Sequence, residues 1–359
     1  MIPASAPARL VVLAPNWLGD AVMALPLIAD LRRAWPDTHI AVAARRAVAP
    51  LFAFVPEVAE TLALDGSGGI GAVRSWRGDA ARLQAGRFDA ALLLPNSFLS
   101  AWLVVRARIP ERWGYGRDLR QRLLTRVVPR PPGDAHQAVY YQALASGLGL
   151  AVGPTLASLR VPDQAASQAR ELAERAGLPP HQRFVVFAPG AAYGRAKQWL
   201  PERFAELSRL LAAQDVATVL VGATGDMPAC RDIAQRTQAI DLAGQTDLAT
   251  LIGLFTSSEQ VVANDSGAMH LAAAVGARVV AIFGPTDDRQ TSPLRATETA
   301  PMPAIVSTEV WCRPCLLREC PIDHRCMTQI TANEVVNRMT GAPSTPVLAS
   351  PLSRTVRPQ

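Results

Sequence analysis

Apolar residues in this chain gather in short continuous runs. Leu10-Val11-Val12-Leu13-Ala14 is the first, closed by Pro15. A run that is apolar on both faces predicts a strand buried inside a parallel sheet. A helical pattern follows from about Asp20 to Trp35 and stops at Pro36-Asp37. Ile40-Ala41-Val42-Ala43 is the next strand, which completes a βαβ unit. A further run, Ala90-Ala91-Leu92-Leu93-Leu94, ends at Pro95-Asn96-Ser97 and extends the unit into an open parallel sheet.

Between about 151 and 180 the pattern loosens. Pro154, Pro162, Pro179 and Pro180 punctuate it, with one helix predicted over 164–176. The alternation then resumes. Strands are predicted at 184–187, 218–221, 260–263 and 279–283, and a helix over 201–213 that opens with proline. The expected fold class is therefore α/β, with two Rossmann-like, doubly wound lobes. The N-terminal lobe spans 1–160, the C-terminal lobe 175–341, and the hinge lies near 155–175. Residues 342–359, rich in Pro, Ser and Thr, read as a disordered tail.

Composition agrees with this division. A chain of 359 residues suits two domains, and 49% hydrophobic with 18% charged residues suits packed cores. No run of about eighteen apolar residues is present, so no transmembrane helix is expected. The first residues carry no basic flank ahead of a long apolar core, so no cleaved export signal is expected and the cytosol is the expected compartment. The net charge of +6 comes almost wholly from arginine. It favours anionic partners, although a solvated basic surface gives the same balance.

Ligands of open parallel sheets bind beyond the carboxyl ends of the strands, and three motifs fall there. Pro15-Asn16-Trp17-Leu18-Gly19-Asp20 follows the first strand. Gly19 permits a close backbone approach, and Asp20 is either a helix cap or a general base facing the cleft. Pro189-Gly190 through Lys197-Gln198-Trp199 carries glycines and cations suited to phosphate, without the Walker ending. Asn264-Asp265-Ser266-Gly267-Ala268-Met269-His270 again runs strand, turn, helix. Its backbone N–H groups at Ser266 and Gly267 suit a diphosphate, Asp265 can accept from sugar hydroxyls, and His270 can donate to a leaving group. Taken singly, each of these residues could be a cap or a satisfied structural side chain. Two loops of this kind on one sheet edge favour a ligand.

Two further clusters are less specific. Cys312, Cys315, Cys320 and Cys326 begin with a Cys-x2-Cys pair that could supply half of a tetrahedral zinc site. The later two lack a second tight pair, which favours free thiols or a local disulfide over metal. The segment between Arg106 and Arg130, with Arg117 and Arg120 within it, offers guanidinium forks for carboxylate or phosphate. No nucleic-acid-binding signature accompanies it, so an anionic acceptor is the expected partner and nucleic acid is not.

Taken together, the 15–23, 189–199 and 264–270 motifs resemble the ADP-heptose:lipopolysaccharide heptosyltransferases, most closely the heptosyltransferase II branch, and Cys312-Arg313-Pro314-Cys315 is similar to that branch too. The resemblance covers about 10–331. It implies a GT-B architecture, with donor in the C-terminal lobe and acceptor on the N-terminal lobe. It also implies inverting transfer of heptose without a bound catalytic metal or other cofactor. Under it, Asp20 is the general base. Lys197 neutralises the donor diphosphate, and Asp265, Ser266, Gly267, Met269 and His270 bind the donor. Gly19, Arg117 and Arg120 are then the acceptor-side residues. The implied partners are ADP-heptose and the anionic lipopolysaccharide core, with peripheral contact at the cytoplasmic face of the inner membrane. Transfer to Kdo-lipid A, as by a heptosyltransferase I, and epimerisation of a nucleotide sugar are the alternatives.

Overall fold

Both halves of the chain build the same sheet. In the first, β1 (Arg9–Leu13), β2 (His39–Arg45), β3 (Glu60–Leu64), β4 (Ala90–Leu93), β5 (Glu111–Tyr115) and β6 (Arg126–Val128) pair in the order β3-β2-β1-β4-β5-β6. In the second, β7 (Phe184–Ala188), β8 (Ala217–Leu220), β9 (Ile240–Asp241), β10 (Gln260–Asn264), β11 (Val279–Phe283) and β12 (Ala304–Ser307) pair as β12-β11-β10-β7-β8-β9. Every pairing is parallel. The central strands are apolar on both faces because helices cover both, as the continuous runs require. The structure is a computed structural model, describing residues 4–66, 72–116, 119–131, 133 and 135–340. The expected GT-B pair of Rossmann-like lobes is what these residues form. The predicted tail and Arg117 lie outside the described residues.

Strand order reverses between β1 and β4 in one sheet and between β7 and β10 in the other. At such a switch point neighbouring loops part and leave a crevice. The segments 14–20, 189–199 and 264–270 leave β1, β7 and β10 at these crevices.

Local differences from expectation have local causes. The helix predicted from about 20 to 35 is two, Leu18–Met23 and Leu25–Ala34. Pro26 has no N–H to give the preceding turn, so the chain restarts with proline in a first turn. Strands β5 and β6 lie inside the arginine-dense segment, whose charges hide them from a hydrophobicity reading. β3 has only half-exposed alternation and β9 has two residues.

The lobes are stitched together. From the linking segment, Ala157 N–H donates to Arg295 O (3.0 Å) and Leu159 N–H to Ala274 O (3.0 Å) of the second lobe, while Arg160 N–H donates to Phe54 O (2.7 Å) of the first. Helix Ala165–Arg175 packs on helix Leu248–Ser257 of the second lobe. That contact is close because Gly253 has no Cβ, which would stand 1.9 Å from Ala165 O. One apolar core runs through both lobes, with Ala21 and Val22 from the first and Met269 and Ala273 from the second.

Candidate active site

Asn264 closes β10 fully buried, and its side-chain amide is spent on the neighbouring loop. It accepts from Trp199 N–H (3.0 Å) and donates to Pro189 O (2.6 Å). A buried amide must be paired at both ends, so these bonds hold the 189–199 loop against β10. Trp199 is anchored further by its indole N–H to Ile330 O, 3.0 Å. Two motifs far apart in sequence become one surface.

The next residues form an ion pair. Lys197 Nζ lies 2.6 Å from Asp265 Oδ2, with the two side chains only 13% and 4% exposed. Thr286 Oγ1 donates to the same Oδ2 at 2.5 Å. The ammonium also sits 4.9 Å from the centre of the Tyr193 ring. Lys197 is the only lysine in the chain, the remaining basic residues being arginine. A compact point charge on a flexible stem differs from a planar fork, and only this position carries one.

Helix Gly267–Ala274 begins beside this pair with Ser266 as its N-cap residue, which makes no side-chain cap bond. Ser266 Oγ and His270 Nδ1 are buried without a hydrogen-bond partner. Unpaired buried polar atoms are rare and cost free energy, and here two stand on the first turns of one helix. Burial drives the His270 imidazole down to a pKa of about 4, with Asp265 opposing and His136 and Lys197 assisting. It is neutral near pH 7 and carries one N–H donor and one acceptor.

Across the cleft, helix Leu18–Met23 packs on helix Gly267–Ala274. Two glycines permit this approach. A Cβ on Gly19 would stand 2.8 Å from His270 Cδ2, and one on Gly267 would stand 2.9 Å from Leu18 Cβ. The cap of the first helix is Trp17, so Asp20 is not its N-cap and lies in the first turn. Burial raises the Asp20 pKa, Lys197 and a hydrogen bond from Tyr141 pull it down, and Asp265 pushes it up. Asp20, Lys197 and Asp265 are therefore electrostatic neighbours drawn from both lobes. Tyr141 stays protonated, because its own pKa is raised well above the usual value by burial and by Asp20. A further tie between the lobes runs from His136 Nε2 to Ser292 O, 2.9 Å.

Tyr141 and Thr286 had no sequence signal as site residues. Tyr141 sits in helix Gln137–Gly147 without a motif, and Thr286 is in a turn that shows no chemistry until folded beside Asp265.

Two expected site residues are placed elsewhere. Arg120 is fully buried rather than facing an acceptor. Its guanidinium donates to Tyr115 O (2.8 Å), Pro95 O, Asn96 Oδ1 (3.2 Å) and Ser100 Oγ (3.3 Å). Arg112 is similarly spent on the carbonyls of Leu123, Ile109 and Pro110. These arginines satisfy loop carbonyls, which a count of charges cannot reveal. Met269 is fully buried in the apolar core, because the helix turns it inward. Cys312, Cys315, Cys320 and Cys326 are free thiols, and no group of three metal-binding side chains is poised for an ion among the described residues.

Residues 78–325 match the sequence profile of glycosyltransferase family 9 (heptosyltransferase). The chain is 31% identical over 302 residues to lipooligosaccharide heptosyltransferase 2 of Haemophilus influenzae, covering 80% of this chain and 86% of that protein. It is 32% identical over 300 residues to lipopolysaccharide heptosyltransferase 2 of Salmonella typhimurium, covering 80% and 85%. The solved structure of Escherichia coli ADP-heptose LPS heptosyltransferase II superposes with a TM-score of 0.77 at 26% identity, covering 93% of this chain and 98% of that one.

Proposed function

Because the chain belongs to glycosyltransferase family 9, the heptosyltransferases, we propose that it moves heptose from ADP-L-glycero-D-manno-heptose to the first heptose of the lipopolysaccharide inner core, as a heptosyltransferase II. One observation carries the reading. A carboxylate whose pKa is raised by burial, Asp20, faces a lysine and a helix N-terminus bearing unpaired polar atoms across one cleft.

The chemistry needs both halves. A sugar hydroxyl is a poor nucleophile until its proton is taken. Asp20 accepts that proton as the hydroxyl oxygen bonds to the anomeric carbon of heptose, and the bond to the diphosphate oxygen breaks. A positioned base of this kind contributes roughly 10²–10⁴-fold. Attack from the face opposite the leaving group inverts the anomeric centre. ADP departs with growing negative charge, which Lys197 and the N–H groups at the start of helix Gly267–Ala274 meet where it develops. Ser266 Oγ and neutral His270 supply polar contacts to the same donor. Asp265 holds Lys197 in place and accepts from donor hydroxyls.

The acceptor is an anionic glycolipid at the cytoplasmic face of a membrane, and the enzyme works there peripherally. No helix among the described residues is long and apolar enough to cross a bilayer. Trp17 (49% exposed), Phe98 (48%) and Leu99 (36%) follow the adjacent strands β1 and β4 and supply an apolar contact beside the cleft. Attraction of a basic protein to an anionic surface weakens as salt rises.

The test mixes the protein with ADP-heptose and core acceptors bearing zero or one heptose, read by mass spectrometry. Addition of one heptose to the singly substituted acceptor is expected. Addition only to the unsubstituted acceptor would reassign the enzyme to the first transfer, and donor turnover without acceptor would make it an epimerase.

A further inference from the structure

The cysteine-bearing loop remains without a role in this chemistry, yet it grips both halves of the Lys197–Asp265 pair. On the lysine side, Ala196 N–H donates to Arg318 O (2.9 Å), His324 Nε2 lies 2.8 Å from Ala196 O, and Tyr193 Oη donates to Leu316 O (2.8 Å). The loops touch so closely that a Cβ on Gly194 would stand 2.4 Å from Arg318 O. On the aspartate side, one residue does most of the holding. Arg313 Nε donates to Gly284 O (2.9 Å) and Thr286 O (3.2 Å), and its Nη2 pairs with Asp288 Oδ1 (2.5 Å). Leu316 N–H closes the same contact on Pro285 O, 3.0 Å.

We propose that Arg313 is a positioning residue for the donor diphosphate site. It fixes the 284–288 turn so that the Thr286 hydroxyl holds Asp265 toward Lys197. The chain of bonds is continuous: Arg313 to Thr286 O, Thr286 Oγ1 to Asp265 Oδ2, Asp265 Oδ2 to Lys197 Nζ. Arg313 is only 13% exposed, so its cation is held in one geometry rather than waving in solvent. The planar fork bonds two carbonyls through Nε and a carboxylate through Nη2 from two separated nitrogens held in one plane, a spread that the single ammonium nitrogen of a lysine does not reproduce. Thr286 has a hydroxyl whose direction is set by its backbone, and freeing the turn lets that hydroxyl leave Asp265. The ammonium then loses its fixed place against a phosphate.

This inference rests on the donor-site reading above, and the experiment separates the two. ADP alone is the probe, by calorimetry on folded protein. If wild type binds no ADP, the donor-site reading fails. Given wild-type binding, Arg313→Gln is expected to weaken ADP by tenfold or more and to raise the donor KM, with acceptor KM within twofold. Arg313→Lys recovers less than half of that loss on a logarithmic scale. Thr286→Val gives a similar loss, and combining it with Arg313→Gln adds little more, because both cut one chain of bonds. Arg325→Gln, at the start of the short helix Arg325–Thr328 that follows the loop and paired with exposed Asp323, stays within twofold of wild type. The proposal is overturned if folded Arg313→Gln binds ADP like wild type, if the two losses add fully, or if Arg325→Gln loses as much. Should Arg313→Gln fail to fold, Asp288→Asn cuts the same anchor at a half-exposed carboxylate, and unchanged ADP affinity there overturns the proposal equally.

Discussion

Lys197 Nζ lies 2.6 Å from Asp265 Oδ2, and this ion pair holds the only lysine of the chain. Cutting one side of a nearly buried pair strands the other charge, which typically costs about 3–5 kcal/mol. Lys197→Ala is therefore expected to lower stability measurably in a urea titration and to weaken ADP at least tenfold. Lys197→Arg keeps the charge but puts a planar fork into a space bounded by Tyr193, and it is expected to recover little of the ADP affinity. Because no other lysine is present, reductive ¹³C-methylation labels one side chain besides the terminal amine. Its NMR signal should move on ADP addition, and a static signal would remove Lys197 from the donor site.

Asp20 sets the pH dependence of turnover. Its pKa lies above the ordinary 3.8, mainly through burial, so the base becomes available only as pH rises through that raised value. The acid limb of kcat/KM should lie above the ordinary carboxylate range. Tyr141 hydrogen-bonds the charged form and lowers this pKa. Tyr141→Phe should move the acid limb to higher pH, and a shift the other way would contradict the assignment. Asp20→Asn should lose at least 100-fold in kcat, in line with what a general base supplies, with ADP affinity kept.

Gly19 governs how closely the lobes meet. A methyl there would stand 2.8 Å from His270 Cδ2, so the ring or the helix must move. Overpacking of this size costs about 1–3 kcal/mol. Gly19→Ala should lower kcat roughly tenfold or more if closure is needed for transfer, since about 1.4 kcal/mol is a tenfold effect. ADP affinity should fall less than kcat, because the displaced His270 ring is one donor contact while the Lys197–Asp265 pair is untouched. Equal kinetics for the variant and wild type would show that this contact does not limit the reaction.

His270 makes the fold acid-sensitive. Its folded pKa of about 4 lies below the ordinary 6.5, so between these values the unfolded chain binds a proton that the folded one refuses. Stability therefore rises with pH across that window and is lost as pH falls from about 6.5 toward 4. The full shift corresponds to roughly 3 kcal/mol. Asp20, with a raised pKa, acts in the opposite sense above 3.8, so the test compares slopes. Urea unfolding of His270→Gln at several pH values should give a flatter acid loss than wild type.

The sequence by itself determined the central strands, because a run such as Leu10 to Ala14 is apolar on both faces only when helices cover both sides, whereas the outer strands β3, β5, β6, β9 and β12 carry no such run. It also marked the loops after β1, β7 and β10, where glycine and polar residues interrupt those runs. Tertiary structure decided which side chains in those loops meet. Thr286 and Tyr141 join the site through contacts that no local pattern encodes. Arg120 and Met269 leave it for the same reason, since burial depends on what packs over a residue and not on its own chemistry. The meaning of the lone lysine is of this kind too. Lys197 can be counted in the sequence, but only the fold sets it against Asp265, within the electrostatic reach of Asp20 from the other lobe.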